Sequence, residues 1–216
     1  MNVLNKFGML ILTTSLLTAC GDSGNKGSSD KPAEQVAQSE SSSANKYEKA
    51  LSEFPEADPK LAEPIFISDK KSPEGLAELQ KFIHFTTSEE AQNIGKMGQE
   101  LQQLASQGKE AETLEQMKKL TDALEKFHQS ATALDIKDPE IKAVMDRTLQ
   151  VSSAANNLMI YAGKYSSELT IDGKDKDSLK FAKDFQEKSQ KLQETLRAAN
   201  QEIQKAAEAL GKKYSQ

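Results

Sequence analysis

The chain has 216 residues, and 28 Lys and Arg stand against 33 Asp and Glu, a formal charge of −5. Arg147 and Arg197 are the only arginines, and no run of Lys is free of neighbouring carboxylates, so the broad basic surface that nucleic-acid binding needs is missing. Cys20 is the only cysteine, which excludes an intrachain disulfide, a CxxC redox pair, a thiolate zinc site and a CxxCH haem attachment.

In chain order, the first six residues carry one positive charge at Lys6, and Phe7 to Leu17 is a short, mostly apolar stretch. A permanent transmembrane helix takes about 20 apolar residues, so this stretch reads as a cleaved leader. Leu17-Thr18-Ala19-Cys20-Gly21 follows, with Leu at −3, small residues at −2 and −1 and Cys at +1. It resembles the lipobox of bacterial lipoproteins. That resemblance implies a diacylglycerol on the Cys20 sulfur and cleavage just before it, so that the membrane itself becomes a partner through the lipid. Loss of residues 1–19 leaves 27 basic against 33 acidic residues, a charge of −6. In enterobacterial lipoproteins Asp at +2 favours inner-membrane retention. Gly21 at +2 therefore implies the outer rather than the inner membrane, with Asp22 following at +3.

Gly21 to Lys46 is rich in Ser, Gly, Asn, Gln and Asp, and Val36 is its one sizeable apolar residue. Such a segment cannot bury enough surface to offset the entropy of ordering, so residues 20–46 read as a lipidated cysteine and a disordered linker. Residues 47–216 are then the folded domain.

Tyr47, Leu51 and Phe54 fall at i, i+4 and i+7, a short helix ending at Pro55. Leu61 to Ile67 contains Pro64 and the trio Ile65-Phe66-Ile67, an extended segment packed on the domain. From Ser72, as an N-cap with Pro73 at the first helical position, the pattern is helical. Leu76, Leu79, Ile83, Ile94, Met97, Leu101 and Leu104 form one stripe. Thr86-Thr87-Ser88-Glu89-Glu90 interrupts it with a possible capping box from Thr87 to Glu90, so the segment is one kinked helix or two. Gly108 is a stop.

A helix over about 111–134 carries Leu114, Met117, Leu120, Leu124, Phe127, Ala131 and Leu134 at spacings of three and four. Asp138-Pro139 opens the next, lined by Ile141, Val144, Met145, Leu149, Ala155, Leu158, Met159, Ala162 and Tyr165. After a turn around Asp172-Gly173, a last helix over about 178–210 repeats at Phe185, Ser189, Leu192, Leu196, Ala199, Ile203, Ala206 and Leu210 in heptad rhythm. The fold expected is all-α, an antiparallel bundle of about four long helices after a disordered N-terminal linker. A long coiled-coil dimer is the alternative.

Candidate chemistry is sparse. Glu125-Lys126-Phe127-His128 matches Glu-x-x-His, which puts Glu125 and His128 on one helix face and makes them metal candidates. A dimetal bundle needs a second such pair, and the second histidine, His84, has Lys81 where the Glu belongs. The expectation is therefore that no metal or other cofactor is required, with Glu125 facing water and His128 flanking the core. No Gly-x-Ser-x-Gly elbow is present, and Gly95-Lys96-Met97-Gly98 lacks the spacing of a phosphate loop; those glycines read instead as places of close helix contact or loosened helix. Met97, Met117, Met145 and Met159 fall on the apolar stripes as core fillers.

These features point to a non-enzymatic, membrane-tethered interaction or scaffold protein of the bacterial cell envelope with another envelope protein as partner. The alternatives are a small-ligand or metal carrier in the bundle interior and a chaperone-like binder of unfolded envelope proteins.

Overall fold

The computed structural model describes residues 46–165, 169, 172 and 174–215. The leader, Cys20 and nearly all of the expected linker lie outside the described residues. Among the described residues six helices follow one another: α1 (46–53), α2 (Gly75–Thr86), α3 (Glu89–Ser106), α4 (Glu110–Thr132), α5 (Pro139–Tyr165) and α6 (Lys176–Ser215). A single 3-10 turn, Pro59–Ala62, interrupts the connection from α1 to α2. The fold is an all-α helical bundle.

Cross-helix contacts fix the directions. Lys81 Nζ donates to the Leu134 carbonyl, Phe85 stacks on Phe127 with ring centroids 4.3 Å apart, and Gln116 Nε2 donates to Glu100 at 2.9 Å. As residue numbers rise through α2 and α3 they fall along α4 and the turn after it, so both helices run opposite to α4. The chain breaks between them at Thr87-Ser88. The break has a local cause: Thr87 Oγ1 donates to the Ile83 carbonyl and closes α2, while Ser88 Oγ accepts from the Ala91 N–H and opens α3. The cap is therefore Ser88, one residue after the Thr87 expected from the sequence. The segment the sequence left as one kinked helix or two is thus two, and five long helices stand among the described residues where about four were expected.

The next hairpins follow the same rule. Gly108, at φ +68°, makes the left-handed turn that ends α3. Asp138 Oδ1 accepts from the Glu140 and Ile141 N–H groups at 2.9 and 3.0 Å and caps α5, with Pro139 at its first position. Before α6, Ser178 Oγ accepts from the Asp172 N–H at 2.7 Å and tightens the entry. α6 begins two residues before the expected start and runs five residues past Leu210, to Ser215.

Three apolar clusters fill the described bundle. Leu79, Phe82, Ile136, Ile141, Val144, Met145, Ala206, Leu210 and Tyr214 join α2 to the start of α5 and the end of α6. Val151, Tyr161, Tyr165, Phe181, Leu192, Leu196 and Ala199 join the other halves of α5 and α6, and Ala50, Phe54 and Leu61 pack against them. Leu101, Leu120, Leu124 and Met159 bind α3 and α4 to α5. The expected stripes are thus the ones buried. The four core-filling Met residues behave as expected, with Met145 and Met159 buried and Met97 and Met117 packed against the third cluster. Leu76 and Leu114 are the exceptions, 49% and 38% exposed where the stripes anticipated burial.

Residues 46–72 form a strap along α5 and α6. Tyr47 stacks on Phe181 at 5.0 Å, Phe54 meets Tyr161 edge-on at 5.1 Å, and Lys188 pairs with Glu56 at 2.8 Å. Farther along, the Arg147 guanidinium donates to the Leu61 and Glu63 carbonyls. The strap therefore starts beside the C-terminal end of α5 and finishes beside its N-terminal end. Ile65 and Ile67 turn inward to the first of these clusters while Phe66, between them, stays 88% exposed, the period-two alternation of an extended segment.

Candidate functional site

Cys20, the residue expected to carry the lipid, lies outside the described residues. What is described is where the chain leading from it enters the bundle. α1 lies against the first turns of α6 and the last turns of α5: besides the Tyr47 stack, Tyr165 donates to Glu53 at 2.5 Å and Lys164 pairs with the same carboxylate. Those partners hold the Glu53 carboxyl below its ordinary range, Lys164 first and Tyr165 second. Beneath them the Tyr161 hydroxyl is buried without a hydrogen-bond partner, and burial, with Tyr165 and Glu53 nearby, pushes its pKa up to about 12.

The metal candidates do not converge. Glu125 is exposed, and His84 is exposed on α2. His128 is half buried beside Phe127. Its Nδ1 lies 3.2 Å from Ser153 Oγ across the α4–α5 seam, while Nε2 is buried with no hydrogen-bond partner. Burial lowers its pKa and favours the neutral ring. Among the described residues no group of three or more His, Cys, Asp or Glu side chains comes together in a way that could hold a metal ion.

The sequence announced Asp138 only as the start of α5, but among the described residues it is the centre of a dense polar cluster. Asp138 is 5% exposed, and besides capping α5 its Oδ2 accepts from Ser72 Oγ at 2.6 Å and from the Tyr214 hydroxyl at 3.0 Å. The Asp138 N–H in turn donates to Glu78 at 2.6 Å. Next to it, Glu140 accepts from the Ser68 N–H and hydroxyl and pairs with Lys213 at 2.6 Å. Burial pushes the Asp138 and Glu140 carboxyls up, but the hydrogen bonds outweigh it and both sit below their ordinary values. Lys213 moves the other way: burial lowers it, and the Glu140 pairing more than compensates. The clasp thus ties the end of the strap, the start of α5 and the end of α6.

It also corrects the expected start of α2. Ser72 does not cap α2; its hydroxyl is spent on Asp138, and α2 starts at Gly75 behind Glu74, which makes no side-chain cap. Gly75 is required there, because a Cβ would fall 1.9 Å from the Tyr214 hydroxyl oxygen. Close contact does not explain Gly98, where a Cβ would meet nothing within 4 Å. The signal for the clasp was an isolated aromatic four residues past the last heptad position, at Tyr214.

A shallow, open groove of about 510 Å³ lies between α3 and α4, with Ile94 and Met97 in it and Glu89, Lys119, Asp122 and Lys126 around it. Its charges alternate in sign and do not converge on a point. No helix among the described residues is long and apolar enough to cross a membrane.

A family model described as Uncharacterised lipoprotein PM1805 matches residues 76–215, from the first turn of α2 to the end of α6. No curated protein and no solved structure matches the chain.

Proposed function

The chain belongs to the family described as Uncharacterised lipoprotein PM1805, and on that premise we propose that it is a non-catalytic interaction or scaffold module of the bacterial cell envelope, held on its membrane by lipid on Cys20. Residues 1–19 are the signal peptide, 20–46 the lipidated cysteine and linker, and 47–216 the helical domain. The membrane is the outer one, as Gly21 at +2 implies.

The observation that carries this reading is the pairing of the family with a single cysteine placed in a lipobox. The disposition of the polar groups supports the non-catalytic part. The carboxylates of buried Asp138 and half-buried Glu140 are consumed by bonds within the clasp, and their pKa values are moved away from neutrality rather than toward it. The described core is filled by apolar side chains, so the helices present a rigid outer surface for a protein partner.

Cross-linking in the native membrane, followed by identification of the captured protein, tests this. A defined envelope protein captured by the parent chain and lost with Cys20→Ala supports the reading. No captured protein, together with a small molecule or metal that purifies with the domain in stoichiometric amount, overturns it in favour of a carrier.

A further inference from the structure

Five large hydrophobic residues are exposed among the described residues, and three of them lie at one end of the bundle: Leu114 in the first turns of α4, Ile160 in the last turns of α5 and Leu179 in the first turn of α6. Phe66 and Leu76 lie toward the opposite end, by the clasp. Leu114 is 38% and Ile160 51% exposed. A Cβ on Gly163 would sit 3.8 Å from Leu114 and 3.7 Å from Met117, so Leu114 and Met117 lie against the last turns of α5. Ile160 is one turn back from Gly163 on the same side of that helix. Leu114, Met117 and Ile160 thus make a small apolar patch across the α4–α5 seam.

This is also the end where the chain from Cys20 arrives, since Tyr47 stacks on Phe181 and Glu53 bonds Lys164 and Tyr165. Residue 46 lies 26 positions after Cys20; an unstructured chain of that length has a root-mean-square span of roughly 25–30 Å, whereas α6, with 40 residues, is about 60 Å long. At full extension 26 residues reach about 90 Å, so the linker does not forbid either orientation, but its attachment at the α1 end keeps that end, on average, nearer the bilayer than the clasp end.

We propose that this end is a membrane-seating surface: Leu114, Ile160 and Leu179 rest in the interfacial layer of the same bilayer that holds the lipid of Cys20. This rests on the lipid-anchored reading above. A patch of this size would not hold a free protein on a bilayer. A tether raises its effective concentration at the surface to the millimolar range, so the patch has only to orient a domain already captured. Seated this way, the bundle stands with Phe66, Leu76 and the clasp turned away from the membrane.

The test uses the mature lipidated protein in vesicles of phosphatidylethanolamine and phosphatidylglycerol. Ile160→Cys, Leu179→Cys and, near the far end of α4, Ser130→Cys are each labelled with a polarity-sensitive fluorophore; the Cys20 sulfur is occupied by lipid, so each variant carries one free thiol. The expected result is blue-shifted emission at positions 160 and 179, quenched by lipids brominated in the upper acyl chain, with position 130 remaining accessible to aqueous iodide. Protein that floats with the vesicles while positions 160 and 179 stay as iodide-accessible as position 130 overturns the seating and leaves the anchor standing. A shift that needs a high protein-to-lipid ratio and escapes bromine quenching assigns the patch to a second copy and overturns it too. Protein that does not float at all overturns the anchor and the seating together.

Discussion

Asp138→Ala removes the one side chain that serves both ends of the clasp. The α5 N-cap is lost, at about 1 kcal/mol. Ser72 Oγ and the Tyr214 hydroxyl lose their carboxylate acceptor inside a part-buried site, which adds about 1–3 kcal/mol. The hydroxyls lie 3.3 Å from each other and retain that contact, so the lower part of the range applies to the second loss. A total of about 2 kcal/mol translates, for a domain of this size, into a fall in Tm of roughly 4–8 °C. Asp138→Asn keeps the cap and one acceptor oxygen, so it should lie between parent and Ala. The pH dependence carries an independent sign. The folded Asp138 sits below its ordinary value of 3.8, so its contribution is present above that value and is lost as pH falls through the folded pKa. Acid unfolding of Asp138→Ala should therefore be less steep below about pH 4. Thermal melts followed by far-UV circular dichroism at pH 7 and along an acid series measure both. A variant that melts with the parent, or one whose acid slope is unchanged, would show that the clasp contributes nothing beyond geometry.

Leu196, 1% exposed, and Leu120 sit in two different apolar clusters, so Leu196→Asp and Leu120→Asp should each unfold or strongly destabilise the domain by burying an unpaired charge; melts like the parent would refute the bundle seams. Gly75→Ala should cost about 1–3 kcal/mol because Tyr214 must move. Gly98→Ala, with open space around its Cβ, should instead stabilise α3 by about 0.5–1 kcal/mol; denaturant melts in which both variants shift in the same direction would contradict the packing. His128 is depressed by burial, so the unfolded chain takes up its proton first and stability falls as pH drops below the ordinary value of 6.5 toward the folded pKa. His128→Gln should flatten that slope and change stability only modestly at pH 8, and stoichiometric metal that disappears in this variant would instead establish a metal role.

What was legible in the sequence was what is decided locally. Asp138-Pro139 and Gly108 set helix ends through their own backbone chemistry, and both fall where the pattern put them. The stripes were legible because a 3.6-residue period names the buried face without naming its neighbour. The misses share one cause, competition from distant groups. Ser72 had the chemistry of a cap, but a buried carboxylate 66 positions away is a stronger partner than an exposed helix end. The heptad pattern ran only to Leu210, yet Glu140 holds Lys213 and Asp138 holds Tyr214, so α6 continues to Ser215. Ile65 and Ile67 declared burial but not the groove that receives them. At the candidate site the Glu-x-x-His spacing placed His128 beside the core, while its pairing with Ser153 across a seam depended on the register of α4 against α5.

Mass spectrometry of the mature N-terminus decides whether the chain is anchored as its family and lipobox imply. The expected species starts at Cys20 and carries a diacylglycerol on the sulfur, and it is absent from Cys20→Ser, which remains an uncleaved precursor. A mature chain with an unmodified Cys20 thiol, or one cut at any other position, would contradict the lipid anchor on which the proposed function stands.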